Sequence, residues 1–201
     1  DFLDGSQTTF ILKLDKLTGA TIWDNAFSNL DANYNNDYLK DVVQYADSTY
    51  YAISDSLLFH FSKDGDSLSS INTGLTGMVS LNLRADGNLV TTASSNFPQT
   101  KLVAVLDVSG TILNQYPIND FANKTVLNNS HVYTLNKVIT QRDASMQVLS
   151  TSTLSQDSIG GNVISDFDLS NDTIYACGYN LADSSSFILV LDTNLNLIAN
   201  K

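Results

Sequence analysis

A strand, a tight turn and a second strand recur along this chain, and that unit limits what the chain can fold into. Its first occurrence is Phe10-Ile-Leu-Lys-Leu-Asp15-Lys-Leu-Thr-Gly19-Ala-Thr-Ile-Trp23. Phe10, Leu12 and Leu14 alternate with Ile11, Lys13 and Asp15, the period-2 pattern of a strand. Thr18-Gly19 supplies the turn, because glycine accepts a positive φ without steric cost. Copies follow at Leu57-Leu-Phe-His-Phe-Ser-Lys-Asp64-Gly65, at Leu102-Val-Ala-Val-Leu-Asp107-Val-Ser-Gly110 and at Phe187-Ile-Leu-Val-Leu-Asp192.

A hairpin precedes each later copy. Residues 38–45 and 49–53 flank the turn Ala46-Asp47-Ser48, and residues 78–83 and 88–93 flank Ala85-Asp86-Gly87. Residues 125–127 and 131–135 flank Asn129-Ser130, and residues 163–169 and 173–178 flank Asn171-Asp172. Asp-Gly between alternating apolar runs is a strong hairpin signal. The weakest hairpin pairs residues 146–149 with a run near 154–159. Third-to-fourth-strand turns then fall near Gly19, Gly65, Gly110, Thr153 and Asn194, spaced by roughly 41 to 46 residues, the period of a four-stranded propeller blade. A β-sandwich or β-solenoid also has turns, but not an ordered four-strand unit at near-constant period.

The expected fold class is all-β: a β-propeller of four-stranded antiparallel blades, with four full blades and a partial N-terminal one. Residues 1–201 form a single propeller domain or part of one, divided into a partial blade 1–27 and blades near 37–72, 77–117, 122–159 and 162–201. Third-strand side chains should face the blade-to-blade interfaces. Leu12, Leu14, Phe59, Phe61, Val103, Val105, Ile188 and Val190 are the candidates, and alternation allows either parity in each strand.

Composition narrows the partners. The hydrophobic fraction of 43% is enough for a core, and the net charge is −11. Only 10 Lys and Arg residues are spread along the chain, whereas phosphate neutralisation needs them clustered. No nucleic acid is expected as a partner. No apolar run approaches the roughly 20 residues of a membrane span, so no membrane insertion is expected. The chain begins Asp1-Phe-Leu-Asp without an initiator Met, as a processed form or an excerpt would. Its one cysteine, Cys177, excludes an internal disulfide and is expected to be a buried strand thiol.

The residues for catalysis or metal binding are sparse. His60 and His131 lie in different blades without metal-ligand spacing. Asp64-Gly65-Asp66 and Asp86-Gly87-Asn88 have the start of a calcium loop but lack ligands at further fixed offsets, and hairpin turns explain both. Asp15, Asp107 and Asp192 end their strands, where an aspartate can accept bonds from turn amides. Gly-x-Ser-x-Gly is absent. No catalytic residue, metal ligand or cofactor is therefore expected, and an enzyme is the lesser expectation. Three Asn-x-Ser/Thr sequons, at Asn123, Asn128 and Asn171, are candidates for N-glycosylation in a secreted protein.

Two families share these residues. Leu14-Asp15-Lys-Leu-Thr18-Gly19-Ala-Thr-Ile-Trp23 resembles the tryptophan-docking repeat of quinoprotein-like propellers. There the Trp four positions past the Gly packs one blade on the next. That resemblance implies quinone-cofactor chemistry, for which Arg84 and Arg142 are the only guanidinium groups here. The unit is more similar to the bacterial-type beta-propeller repeat (SBBP): turn, Tyr-Val-x-Gly, polar loop, then Phe-hydrophobic-x-Lys-Leu-Asp. Asn171-Asp-Thr-Ile-Tyr175-Ala-Cys-Gly178 followed by Phe187-Ile-Leu-Val-Leu-Asp192 fits it, as does Phe10-Ile-Leu-Lys-Leu-Asp15. This resemblance implies a secreted or cell-surface scaffold binding other protein subunits or copies of itself. The alternatives are a carbohydrate-binding propeller using exposed Tyr and Trp23, and a quinoprotein-like enzyme.

The strand count leaves the first blade with only its third and fourth strands, so residues 10–15 should present an open edge. A larger propeller of which this is an excerpt would cover it. A neighbouring subunit could also do so, in a head-to-tail contact able to propagate into a filament. The reading as a whole predicts a far-ultraviolet circular dichroism spectrum dominated by strand. A substantial helical signal would contradict it.

Overall fold

The computed structural model describes residues 8–28, 38–95, 100–118, 122–128, 131–136, 138–152 and 162–200. These contain eighteen strands and no helix. β1 (Thr8–Leu14) and β2 (Thr21–Ser28) form a two-stranded sheet. Four four-stranded sheets follow, each with its strands in chain order. The first contains β3 (Asp41–Gln44), β4 (Tyr50–Ile53), β5 (Leu57–Phe61) and β6 (Ser67–Asn72). The second contains β7 (Leu75–Leu83), β8 (Leu89–Ser95), β9 (Lys101–Leu106) and β10 (Ile112–Pro117). The third is built of β11 (Lys124–Leu127), β12 (Val132–Leu135), β13 (Ile139–Arg142) and β14 (Val148–Thr151). The fourth is β15 (Asn162–Ser170), β16 (Thr173–Asn180), β17 (Ser186–Asp192) and β18 (Leu197–Asn200). Every pairing is antiparallel.

Blades meet along their first strands, where β3 contacts β7, β7 contacts β11, and β11 contacts β15. Polar side chains tie these inner strands. The Leu81 amide donates to the Asp41 carboxylate at 2.8 Å, the Asn82 side-chain amide to the Thr125 carbonyl at 2.6 Å, and Lys124 pairs with Asp166 at 2.7 Å.

The core lies between blades, and strand parity divides it. In β5 and β9 one parity faces the preceding sheet and the other faces the following one. In β5, Leu57, Phe59 and Phe61 pack with Ile11 of the two-stranded sheet, while Leu58 joins Leu102, Ala104 and Leu106 of the next blade. In β9, Val103 and Val105 turn to the blade after, against Val132 and Met146. Ile139 then packs with Leu189 and Leu191. Phe59, Phe61, Val103 and Val105 are thus interface residues, as alternation predicts, and all are at most 2% exposed. Leu12, Leu14 and Ile188 are not: each is over 40% exposed, and Val190 is half-buried. They have the right parity for an interface, on faces that no described sheet covers. Among the described residues β1 pairs only with β2.

Trp23 docks the two-stranded sheet on the first full blade. Its ring meets Tyr50 edge-on at 5.6 Å, and its indole N–H donates to the Lys63 carbonyl at 3.0 Å. Gly65 sits beneath that ring: a Cβ there would come within 2.8 Å of Trp23, at a φ of +89°.

Two expectations need correction. The third blade's outer hairpin does not pair residues 146–149 with 154–159. Its third strand is β13, its turn spans residues 143–147, and β14 is the fourth strand. Ile-Thr-Gln-Arg lacks the apolar alternation of the other third strands, so the 3–4 turns are spaced less evenly than the sequence suggests. Residues 153–160 lie outside the described residues. Cys177 is exposed rather than buried, because β16 turns Ile174 and Ala176 inward and its neighbours Tyr175 and Cys177 outward.

Parity predicts opposite outcomes for like substitutions. Ile139→Ala should lose about 2–5 kcal/mol of stability, as for other buried large-to-small changes. Ile188→Ala should stay within about 0.5 kcal/mol, as surface changes do. Chemical denaturation distinguishes them, and equal losses would contradict the assignment of faces.

Candidate functional site

Sequential antiparallel strands place the first-to-second and third-to-fourth turns of every blade at one end of the sheets. The second-to-third turns lie at the other end. The 3–4 turns share one construction. The Asp107 carboxylate accepts the amides of Ser109 at 2.8 Å and Thr111 at 2.9 Å. Asp143 accepts those of Ser145 and Gln147, and Asp192 those of Asn194 and Asn196, at 2.8–2.9 Å. In the first full blade the Ser62 hydroxyl takes the same place, accepting from Asp64 and Asp66. Asp15 accepts the amides of Leu17 and Thr18. A register shift adjoins each such turn, and in the four full blades Gly65, Gly110, Met146 and Leu195 adopt positive φ there. This is a three-residue loop closed by a bulge.

At Asp15, Asp107 and Asp192 these bonds favour the ionised carboxylate. Asp15 is pushed below the usual carboxylate range by Thr18, through its amide and hydroxyl, and by the Leu17 amide. The hydroxyl of Ser109 does the same for Asp107, Thr49 for Asp47, and the Asn196 side chain for Asp192.

Among the described residues the result is a charge asymmetry. The described 1–2 turns contribute Asp47, Asp86 and Asp172, and the 3–4 turns Asp15, Asp64, Asp66, Asp107, Asp143 and Asp192. Lys16, Lys63 and Arg84 are the Lys and Arg residues of the same described turns. At the opposite end Asp55 pairs with Lys40 at 2.9 Å, and Asp183 lies in the turn between β16 and β17.

A cleft of about 330 Å³ opens on the acidic end, between the second and third full blades. Val90, Val132 and Met146 form its buried floor, and half-buried Leu83 and Leu127 its sides. Three turns make the mouth: Arg84, Ala85 and Asp86 from the second blade, Asn128 and His131 from the third, and Ala144 from the third blade's outer turn. Arg84 pairs with Asp86 at 3.1 Å. Asn128 and His131 close their hairpin through two bonds, one of them His131 N–H to the Asn128 side-chain oxygen at 2.7 Å. Buried Arg142 braces the outer turn, donating through Nη1 to the Met146 carbonyl at 3.1 Å.

Most residues singled out in the sequence stand apart from this cleft. His60 stacks flat on Tyr51, with ring centroids 4.5 Å apart, whereas His131 lies on the cleft wall. Among the described residues no three His, Cys or Asp side chains are placed to hold a metal. Asn171 is exposed at a hairpin tip and Asn123 is exposed beside β11, while Asn128 is half-buried. Arg84 and Arg142 do not converge: Arg84 lies at the rim of this cleft, whereas Arg142 lines a separate depression with Pro117, Ile118 and Thr140 and reaches the cleft only through its bond to the Met146 carbonyl. Ala85, Ala144 and Met146 carried no signal in the sequence, since only the packing of two blades brings them together.

Depressed carboxylate values set a direction for pH dependence. A group whose folded pKa lies below its unfolded one adds stability above the unfolded value, about 3.9, and loses it as pH falls through the folded value. Melting temperature should therefore be flat from pH 7 to about 5 and fall below about pH 4. A thermal melt series checks this, and Asp107→Asn should reduce the acid-limb loss.

No family model matches the chain, and no curated protein matches it. Solved structures do. The chain is similar to the WD40 domain of Pan2 from Neurospora crassa, with TM-score 0.68 and 14% identity, over 96% of this chain and 59% of that one. It is similar to Sqt1 of Saccharomyces cerevisiae, with TM-score 0.61 and 14% identity over 95% and 55% of the two chains. The C-terminal WD40 domain of Sif2 gives 0.54 and 10% over 89% and 63%. This chain thus spans about three-fifths of the length of these structures. At such identities the likeness is one of fold. The chain is an all-β repeat protein with the β-propeller fold, built of four-stranded antiparallel blades.

Proposed function

We propose that the protein is an interaction scaffold whose partner-binding surface is the acidic end of the propeller. One observation carries this reading: turns locked by their own aspartate and asparagine caps surround an apolar-floored cleft between two blades. Function in such folds sits in rigidly held loops, and a protein partner suits a surface with a concave apolar centre and a charged rim. The resemblance to the bacterial-type repeat supports a place outside the cell or at its surface. Self-association is a second reading, favoured by the exposed Phe10, Leu12 and Leu14 on one terminal sheet and Tyr175 and Ile188 on the other. The glycan reading has less support, because Trp23 is committed to docking Tyr50 and Lys63.

The test uses charge reversal at opposite ends. A photo-crosslinker at exposed Ser145 should capture a protein partner that Asp64→Lys with Asp172→Lys abolishes and Asp183→Lys leaves intact. Equal capture in both variants, or capture only from a crosslinker at Ala182 on the opposite end, would overturn the assignment of the surface.

A further inference from the structure

The cleft between the second and third full blades has a chemistry more specific than its apolar floor. We propose that it receives one aromatic side chain of a partner's cationic segment. This rests on the reading of the acidic end as the partner-binding surface. Three observations carry it. The first is size: about 330 Å³ holds one large side chain, whereas a cavity of about 150 Å³ already accommodates benzene.

The second is the character of the walls. Met146 forms part of the floor, and thioethers make favourable contacts with ring edges. Arg84 lies on the wall, held by Asp86 at 3.1 Å, and a guanidinium stacks on aromatic faces while its ion pair persists. His131, from the neighbouring blade, adds a second planar group to the lining. An aliphatic side chain would satisfy the floor but leave both planar groups unused.

The third is the rim. Asp86 and the turn of Asp143 border the mouth, within the aspartate-rich end described above. Residues flanking the aromatic group would lie over these carboxylates, which favours Lys or Arg there and disfavours acidic neighbours. Small Ala85 and Ala144 leave the entrance open.

Amide-resolved nuclear magnetic resonance on the nitrogen-labelled chain tests this with three pentapeptides: Lys-Lys-Trp-Lys-Lys, Lys-Lys-Ala-Lys-Lys and Asp-Asp-Trp-Asp-Asp. The first should shift the amides of Ala85, His131 and Ala144 together and bind at least about tenfold tighter than either other peptide. Ala144→Trp, at an exposed turn position, should reduce that affinity to the level of the alanine peptide while leaving the spectrum of the other blades unchanged. Equal binding of the tryptophan and alanine peptides would overturn the aromatic assignment, as would unaltered binding to Ala144→Trp. Equal binding of the acidic peptide would overturn the cationic one. If no peptide shifts the cleft but charge reversal at Asp64 and Asp172 still abolishes partner capture, this inference fails and the broader reading stands.

Discussion

No blade of this protein has a core of its own. A four-stranded sheet one layer thick has two faces, and each interior face is buried only by the face of a neighbour. The third strands show the consequence most plainly: Leu58 and Phe59 are adjacent in sequence, lie on opposite faces, and are both at most 2% exposed. Each blade is therefore a unit whose stability resides in its nearest neighbours, as in other repeat proteins. The same constraint explains the exposed apolar residues. Leu12, Leu14 and Ile188 have interface parity on faces without a described neighbour, so their exposure follows from position in the series and not from a different role.

Burying both faces leaves the sheet ends for recognition. Successive strands reverse direction, so turns alternate between two ends, and among the described residues the ends diverge in chemistry. In the four full blades the 3–4 turns must accept amides left by a three-residue loop, and aspartate does this in three of them, with Ser62 in the fourth. A structural need repeated around the series thus accumulates negative charge on one end. The cleft arises where two blades carry small turn residues, Ala85 and Ala144, above the buried Val90 and Met146.

Much of the fold was legible because turn chemistry and alternation are local. Asp107-Val-Ser-Gly110 specifies its own turn, and the repeat of that turn specifies the blade. Reading failed where local signals were replaced. Ile139–Arg142 carries two polar residues and an arginine, and Met146 stands at the positive φ that glycine occupies in the two preceding turns. Asp143 was the remaining signal, since it caps its turn as Asp107 and Asp192 do. Strand parity could not be chosen from the sequence, because apolar residues occupy both faces. The cleft was not legible at all. Its residues lie up to about sixty positions apart, and their meeting depends on how one blade packs against the next.

Native-state hydrogen exchange is the direct measure of a core shared between blades. The central strands β5, β9, β13 and β17 should exchange slowly, with the interior blades opening in one cooperative step rather than one by one. Destabilising a single interface, as by Ile139→Ala, should speed exchange in the blades on both of its sides. Fast, independent exchange of one interior blade while its neighbours stay protected would contradict the account.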